Sequence, residues 1–506
     1  MKKIYNLCLL AFFLTLITSC ENGFDEMNKS KTSATEIDPA FILNRSIINS
    51  SMNGFSTLVF DIGIVQQIIS PNSGVLTGAN YNQDNRASTE DNWQSLYRNV
   101  IRDTKDVIAI TKDNPARSNL MNMARILQTW AFMVLTDTYG DVPYTEGGDG
   151  YNTQVFFPKY DTQQSIYPLL ITELTQATAA LNASGKIETA DILYGGDVAK
   201  WKKFGYSLML RAGMRLSRVD AATAQATVKA AFDGGVITSN ADNAFVPHDA
   251  NYTNPISLTL NSTEASNFFL TKPFVDELKN HNDPRLSAIA VRYKGATSGP
   301  TQTIESASYV ASEQIGMPMG NDNGTVVAAA AADSLKSFYE YSQADRRRIA
   351  KLTAPMFLVT AGQTNLLLAE ARFRGWITAG TAAQYFADGI KASMDQMARF
   401  DAACAIAETD RDTYIAANPL NSGTELMQIN TQYWISSFMN GQEAWANFRR
   451  SGYPALDPNP YPGREVTWIN RLTYPNSEIS VNTVNVNAAI SAQGPDNLET
   501  KVWWAK

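Results

Sequence analysis

Histidine and carboxylate side chains are the first candidates for chemistry in this 506-residue chain. The two histidines, His248 and His281, match no common metal-ligand spacing. The sequence also lacks the G-x-S-x-G and H-E-x-x-H patterns of serine and zinc hydrolases. The 49 acidic residues leave a carboxylate pair for glycoside hydrolysis open, because the separation of such a pair is invisible in a sequence. A histidine-based catalytic site is therefore not expected, and a hydrolase stays an alternative.

A short stretch of oxygen-bearing side chains at residues 321–323, before Gly324, could suit calcium. No glutamate ends a twelve-residue loop that begins at Asn321, so the final ligand of an EF-hand loop is missing. A plain turn explains the same residues, and calcium remains the alternative. We expect neither a metal site nor a cofactor.

A helix predicted over 197–216 carries an arginine within its apolar stripe. Arg215 falls on the same face as Trp201 and Leu208. An unpaired buried guanidinium is strongly destabilising, so Arg215 needs a carboxylate. Asp137 is the leading candidate because it lies at the edge of a neighbouring apolar stripe. We expect a structural ion pair, with a ligand-binding arginine as the alternative.

The N-terminus has the pattern of an export and lipidation signal. Two lysines precede an apolar run at 7–17, which is too short to span a bilayer. The sequence LITSC at 16–20 then resembles a bacterial lipobox, in which the cysteine is acylated. We expect residues 1–19 to be a lipoprotein signal peptide and the polar residues 20–38 to be a flexible tether lipidated on Cys20.

The composition is that of an acidic, folded chain. A formal net charge of −7 makes nucleic acid an unexpected partner. Hydrophobic residues make up 44% of the sequence, enough for a sizeable core. With Cys20 lipidated, Cys404 would have no partner after signal cleavage, so the core must be stable without a disulfide.

Apolar residues recur at three- and four-residue steps along most of the chain, which predicts a mainly α fold of paired helices. Repeated hairpins without alternating strands indicate a helical solenoid scaffold. Residues 235–350, with several prolines and many small polar residues, interrupt it as a loop-rich insertion. The predicted helices are 41–69, interrupted by Gly54 and Gly63, then 93–108, 120–135, one that starts at Tyr160, 197–216, 357–376, 384–397 and 433–450, with a loop from Pro71 to Asp91.

Several separate stretches together resemble the SusD/RagB family of nutrient-binding outer membrane lipoproteins. The match extends over nearly the whole chain. It is carried by the lipobox, W-x2-LY at 93–97, DTYGDVPY at 137–144, GD-x2-KW at 196–201, DPRL at 283–286, AEA at 369–371, GQEAW at 441–445, RRSGYP at 449–454 and RL-x-YP at 471–475.

The resemblance implies a single α-helical lobe over 39–506 with tetratricopeptide-like hairpins. It further implies a lipid-anchored protein on the cell exterior that captures a nutrient and passes it to a TonB-dependent, SusC-like transporter of the outer membrane. The ligand would be an oligosaccharide, or in some members a peptide. The alternative is a lipoprotein scaffold that binds only protein.

Loop residues with aromatic, amide and guanidinium groups are the candidate ligand contacts. Sugar rings present C–H groups that pack on aromatic faces, while their hydroxyls bind amides and guanidinium. Tyr81, Asn82 and Arg86 supply that mixture before Trp93, and Tyr252 and Tyr293 add rings in the insertion. The pair Trp503 and Trp504 is interpreted instead as pinning the tail onto the core.

Overall fold

The computed structural model describes residues 37–72, 77–262 and 265–506, which are mainly α-helical. Cys20 and almost all of the predicted signal and tether lie outside the described residues. Residues Pro39–Lys506 form one compact unit. No helix in the described ranges has both the length and the apolar character that crossing a membrane requires.

Helices occupy the first half of the described chain almost without strands. They are α1 (Pro39–Asn49), α2 (Gly54–Val59), α3 (Asp61–Ile64), α4 (Arg86–Ser95), α5 (Arg102–Thr111), α6 (Ser118–Tyr139), α7 (Gly150–Thr153), α8 (Gln163–Ala180), α9 (Val198–Arg215) and α10 (Ala221–Gly234). A π-helical segment, Leu96–Ile101, joins α4 to α5.

Shorter helices alternate with short strands in the second half. The helices are α11 (Pro255–Asn261), α12 (Lys272–Asn280), α13 (Arg285–Ile289), α14 (Val326–Ala332), α15 (Ala361–Phe373), α16 (Ala382–Asp395), α17 (Met397–Phe400), α18 (Glu408–Ala417), α19 (Glu425–Ser436), α20 (Gly441–Ser451), α21 (Asn476–Val481) and α22 (Thr483–Gln493). The strands are β1 (Ile68–Ile69), β2 (Ala244–Val246), β3 (Phe269–Leu270), β4 (Ala290–Tyr293), β5 (Ala307–Ser308), β6 (Gln343–Ala344) and β7 (Met356–Val359).

Neighbouring helices pack as the predicted hairpins. Helix α6 packs against α5 and α8, α9 against α8 and α10, and α15 against α16 and α19. Local residue chemistry sets the helix termini. Gly140, with a φ of +84°, ends α6. At the start of α9, Asp197 Oδ1 accepts hydrogen bonds from the amides of Ala199 (2.9 Å) and Lys200 (3.1 Å). The mainly α, hairpin-based fold is confirmed.

The insertion at 235–350 is irregular but not structureless. Strand β4 lies between β5 and β6 in an antiparallel sheet, β1 pairs with β3, and β2 pairs with β7. These short strands satisfy backbone groups that a long loop would leave exposed or buried without partners.

Several predicted helix boundaries were wrong. The helix predicted over 41–69 is three short helices, α1, α2 and α3, and its last two residues form β1. Residue Phe357 lies in β7, because this segment pairs with β2 before α15 begins. The helix predicted over 433–450 is two helices, α19 and α20, separated at Met439, whose φ of +68° cannot continue a right-handed helix. The loop predicted up to Asp91 ends earlier, because the Asn85 side chain caps α4 by accepting from the Ser88 amide (3.3 Å).

Candidate ligand-binding cleft

Tyr81 and Asn82 lie inside the fold rather than on an open surface. Tyr81 is 2% exposed, its hydroxyl donates to the carbonyl of Pro71 (2.7 Å), and its ring centroid is 4.5 Å from that of Tyr461. The Asn82 amide donates to the carbonyl of Thr467 (3.0 Å). Burial argues against direct ligand contact by either residue, and both instead tie the N-terminal loop to the C-terminal segment.

Arg86 is half-buried and already paired. Its guanidinium contacts the carboxylates of Asp84 (3.1 Å) and Asp496 (2.9 Å) and donates to the carbonyl of Tyr474 (3.0 Å). These contacts satisfy most of the N–H groups that a ligand would need. A role for Arg86 in binding remains a prediction.

The two insertion tyrosines have opposite environments. Tyr293 is buried in a small cluster with Val291 and Ala296, so its ring has no face for a ligand. Tyr252 is 56% exposed and stays a candidate contact. The structure thus does not gather the five predicted residues into one surface.

Arg215 has the carboxylate environment that its position demands. It is fully buried, with its Nε 3.1 Å from Asp137 Oδ2 and an Nη 2.6 Å from Glu443 Oε2. Asp137 also accepts hydrogen bonds from the Tyr167 hydroxyl and from Trp504 Nε1 (2.9 Å). The pairing expected from the sequence is present, and its structural role stays a prediction.

The Asn321–Gly324 stretch forms a turn. Asp322 Oδ1 accepts from the amides of Gly324 (2.9 Å) and Thr325 (3.0 Å). That carboxylate oxygen is thus committed to the backbone. Across the described residues, no cluster of three or more histidine, cysteine, aspartate or glutamate side chains could hold a metal ion.

A surface cleft of about 660 Å³ lies between the π segment and the 143–158 loop. We call this site the cleft. It is lined by Trp93, Gln94, Tyr97, Arg98, Arg102, Pro143, Glu146, Gly147, Gly148, Gly150, Tyr151, Val155, Phe156, Pro158 and Glu478.

Aromatic rings form both the floor and the rim of the cleft. Trp93 on α4 is buried, and its ring packs on Tyr97 with centroids 5.0 Å apart and on Tyr160 with centroids 6.2 Å apart. Above them, Tyr151 is 83% exposed and Phe156 is 67% exposed. Exposed apolar groups that line a concave surface are a mark of ligand-binding grooves. The cleft therefore offers ring faces to a ligand.

The loop that carries these exposed rings is held by hydrogen bonds at both ends. Near its start, Asp161 Oδ2 accepts from the amides of Tyr144 (3.0 Å) and Thr145 (2.8 Å). Near its end, the carbonyls of Phe157 and Pro158 accept from the amide side chains of Asn485 (3.0 Å) and Asn482 (2.9 Å). Tyr151 and Phe156 are thus presented from a fixed backbone.

Two glycines let this loop approach the π segment. A Cβ on Gly147 would lie 2.0 Å from the Pro143 carbonyl oxygen and 2.9 Å from a Tyr97 ring atom. Gly148 has a φ of +75°, and a Cβ there would lie 2.5 Å from Ile101. The Tyr97 hydroxyl closes the junction by donating to the Pro143 carbonyl (2.7 Å).

Charged groups of both signs surround the rings. Arg98 and Arg102 are exposed on the π segment and at the start of α5. Glu146 accepts from the Lys159 amide (2.9 Å), and Glu478 accepts from the Tyr160 hydroxyl (2.7 Å). Burial and Glu478 together raise the pKa of Tyr160, so this hydroxyl stays a donor. The site can thus pack apolar ring faces while exchanging hydrogen bonds with hydroxyls.

Sequence reasoning missed Tyr151 and Phe156. The sequence does carry a sign of this loop, because Gly147, Gly148 and Gly150 lie close to aromatic residues. The neighbouring sequence does not show that Asn482 and Asn485 support the loop. The π segment has no sequence signature either, although such segments are frequent at functional sites.

Comparisons with known proteins agree with this architecture. A SusD-like family model, described as starch-binding and associating with the outer membrane, matches residues 30–475. A chitin-binding protein of known structure is 31% identical with a TM-score of 0.82, covering 93% of this chain and 100% of its own. A SusD homologue from Bacteroides uniformis is 25% identical with a TM-score of 0.74, covering 92% of this chain and 98% of its own.

A chitin-binding SusD homologue from Flavobacterium johnsoniae shares the fold at 23% identity and a TM-score of 0.72, covering 92% of this chain and 97% of its own. No curated protein matches the chain. Because the family model spans most of the sequence and a 31% identical structure covers nearly all of it, the chain belongs to the SusD-like family of outer-membrane-associated binding proteins.

Proposed function

We propose that this protein is a lipid-anchored, cell-surface binding protein that captures an oligosaccharide in the cleft and delivers it to a TonB-dependent outer membrane transporter. The family description, starch-binding and associating with the outer membrane, supports the ligand class and the location. The observation that carries the proposal is the pair of exposed rings, Tyr151 and Phe156, above the aromatic floor of the cleft.

The chemistry of the cleft suits a sugar better than a purely apolar ligand. Ligand sites are generally apolar and aromatic with a few placed polar groups. Here Tyr151 and Phe156 provide faces for sugar C–H groups. Arg98 donates hydrogen bonds, and Glu146 and Glu478 accept them, which together match the alternating donors and acceptors of hydroxyl groups. A peptide could use the same groups and is the second ligand class to test.

The first ligand to test is an N-acetylglucosamine oligosaccharide, because the 31% identical structure is that of a chitin-binding protein. A glucose oligosaccharide of the starch type is the second, on the strength of the family description. We expect calorimetric titration of the detergent-solubilised full chain to show binding of a chitin hexasaccharide. Maltohexaose and a hexapeptide of neutral side chains are run beside it.

Substitution in the cleft tests the location of the site. Phe156→Ala and Tyr151→Ala should each lower the affinity for the hexasaccharide by about tenfold, since losing a stacked ring costs roughly 1–2 kcal/mol of binding free energy. Phe373→Ala removes another exposed ring, at the end of α15, and serves as the matched control. Unchanged affinity in both cleft variants would place the site elsewhere, and Tyr252→Ala would then be the next variant.

The same samples address the hydrolase alternative, because Glu146 and Glu478 both line the cleft. A binding protein returns the hexasaccharide intact after prolonged incubation, whereas a glycoside hydrolase shortens it. Chromatography of the recovered sugar separates the two functions.

The transporter partner is tested in the native membrane. We expect mild detergent extraction and affinity purification of the tagged protein to recover a TonB-dependent transporter at a near-equal molar amount. Protease treatment of intact cells should cleave the protein, since the proposal places it on the exterior. A solitary, protease-protected protein would favour the alternative of a periplasm-facing scaffold that binds only protein.

A further inference from the structure

A second cavity, of about 550 Å³, adjoins the cleft. It is open to solvent and is bordered by the connection between α1 and α2, by the π segment and by α11, and we call it the amide cavity. The side chains of Gln94 and Arg98 line both the cleft and the amide cavity. One extended ligand could therefore occupy both sites and pass Arg98.

Arg98 differs from the arginines near it. Arg45 pairs with Asp103 (2.5 Å), and Arg102 pairs with the same carboxylate (2.8 Å). Arg98 is exposed on the π segment, and among the described residues it has neither an ion pair nor a hydrogen-bonded side-chain partner. Its five N–H donors are thus available at the junction of the two sites.

The amide cavity has no acidic lining residue within the described part of the chain. Its other titratable side chain is His248, whose Nδ1 lies 2.7 Å from the Tyr252 carbonyl oxygen and whose Nε2 lies 2.8 Å from Ser51 Oγ. A carbonyl only accepts, so Nδ1 carries the proton and Nε2 accepts from the serine hydroxyl. Burial lowers the pKa of His248, so it is neutral near pH 7 and Arg98 supplies the charge of this wall.

Two amides in the same wall have committed their oxygen atoms. Asn53 Oδ1 accepts from the Ser56 amide (3.0 Å), and Asn99 Oδ1 accepts from the guanidinium of Arg45 (3.2 Å). Their NH₂ groups remain as donors toward the cavity. A wall with one free guanidinium, spare amide donors and no carboxylate is complementary to an anion. The wall thus differs from the chain as a whole, whose net charge is −7.

We propose that the amide cavity binds the carboxylate of a hexuronic acid, in an acidic glycan whose neighbouring sugar lies in the cleft. The planar guanidinium of Arg98 matches a carboxylate in two parallel hydrogen bonds. This inference rests on the proposed function, because it assumes that the cleft holds a sugar.

The test compares an acidic sugar with its uncharged methyl ester. Calorimetric titrations of the detergent-solubilised full chain at pH 7 use a hyaluronan hexasaccharide, which alternates N-acetylglucosamine with glucuronic acid, and the same hexasaccharide with its carboxylates methyl-esterified. The acid should bind at least about tenfold more tightly than the ester, as a charge-assisted hydrogen bond implies. A chitin hexasaccharide serves as the uncharged reference.

Each variant is judged by its own ratio of acid to ester affinity, so a general loss of binding does not obscure the result. Arg98→Gln should bring the ratio close to one, and Arg98→Lys should leave an intermediate ratio. Arg102→Gln is the matched control and should keep the wild-type ratio, because Arg102 does not line the amide cavity.

A wild-type ratio near one, or a ratio that persists in Arg98→Gln, would overturn the acidic-glycan assignment. If the chitin hexasaccharide still binds in that case, the proposed function stands and this inference alone fails. If none of these three sugars binds and maltohexaose does not bind either, the proposed function and this inference fail together.

Discussion

The guanidinium of Arg215 is fully buried, with its Nε 3.1 Å from Oδ2 of Asp137. Arg215 ends α9 and Asp137 lies near the end of α6, so the ion pair joins two helical hairpins. Glu443 on α20 contacts the same guanidinium (2.6 Å) and also contacts Arg211 (3.1 Å). The pair is thus the centre of a network that joins the middle of the chain to its C-terminal third.

Arg215→Met should destabilise the protein by about 3–5 kcal/mol, because Asp137 would remain buried without its ion-pair partner and Glu443 would keep only Arg211. Oligosaccharide affinity of the folded fraction should change little. Thermal unfolding measures the first effect and calorimetric titration the second. Lys229→Met removes an exposed pair with Asp233 and should leave the melting temperature within error. A variant that melts like the wild type but loses its ligand would contradict a structural role.

Glu370 on α15 and Arg450 on α20 form a second buried pair, with two parallel contacts of 2.8 and 2.7 Å. Despite burial, the guanidinium groups of Arg450 and Arg374 lower the pKa of Glu370 to about 2. The folded pKa is below the ordinary value of 4.5, so this stabilisation is complete above about pH 4.5 and is lost as the pH falls toward 2.

Glu370→Gln should therefore lower the melting temperature at pH 7 and reduce the loss of stability between pH 4.5 and 2. Removing one partner of a buried pair costs about 3–5 kcal/mol. Unfolding curves at several pH values give both quantities. Glu408→Gln, at a side chain that is 85% exposed, is the control and should match the wild type. Equal acid sensitivity in Glu370→Gln and the wild type would refute the assignment.

The contribution of Asp61 to stability has the opposite pH dependence to that of Glu370. Its carboxylate is buried beside the side chain of Gln442 (2.7 Å), and burial raises its pKa from 3.8 to about 7. The folded state therefore holds a proton that the unfolded state releases between about pH 4 and 7. Stability from this group is greatest below pH 4 and falls as the pH rises toward 7, by about 4 kcal/mol at 1.36 kcal/mol per pH unit.

Asp61→Asn should remove that slope. The melting temperature of the variant relative to wild type should rise from pH 5 to about pH 7 and then level off, because over this range only the unfolded wild type is stabilised by releasing the Asp61 proton. Asp233→Asn, at an exposed position, should show no such trend. A constant difference between Asp61→Asn and the wild type over this range would show that Asp61 is ionised throughout.

Helix signals in the sequence were reliable where a single residue decides the backbone. Gly140 ends α6 and Asp197 caps α9, as local chemistry requires, and Arg215 pairs with a carboxylate, as expected for a guanidinium within an apolar stripe. The split between α19 and α20 was not visible, since a positive φ at Met439 depends on surrounding packing rather than on the residue type.

The cleft depended on contacts that a sequence does not display. The 143–158 loop forms the rim of the cleft, and we call it the rim loop. It is supported by Asn482 and Asn485, which lie 324 and 328 residues beyond their partners, Pro158 and Phe157. Tyr81 had the composition of a binding residue but is buried, because its hydroxyl finds a backbone carbonyl within the fold. Aromatic content marks candidate contacts, and only tertiary packing decides which rings remain open.

The lipid anchor is a prediction from residues outside the described part of the chain. Cys20→Ser should abolish fatty-acid incorporation and release the protein from the outer membrane fraction. Metabolic labelling with a radioactive fatty acid, followed by membrane fractionation, measures both effects. Cys404→Ser is the matched control, since Cys404 is buried. Undiminished labelling of Cys20→Ser would refute lipidation at this cysteine.

The rim loop approaches the π segment closely at Gly148. Gly148 and Gly375 have nearly the same positive φ, +75° and +76°, so alanine brings a similar backbone strain at either position. A Cβ on Gly148 would lie 2.5 Å from Ile101, whereas nothing lies within 4 Å of a Cβ on Gly375. Gly148→Ala must therefore also push the loop, with Tyr151 and Phe156, away from Trp93 and Tyr97.

We expect both variants to lose roughly 1 kcal/mol of stability from backbone strain, and Gly148→Ala alone to weaken oligosaccharide binding by about tenfold or more. Thermal unfolding measures the shared strain, and calorimetric titration with a chitin hexasaccharide measures the difference between the variants. If Gly148→Ala binds the hexasaccharide as Gly375→Ala does, the spacing between the rim loop and the π segment does not determine affinity, and the ligand must contact another surface.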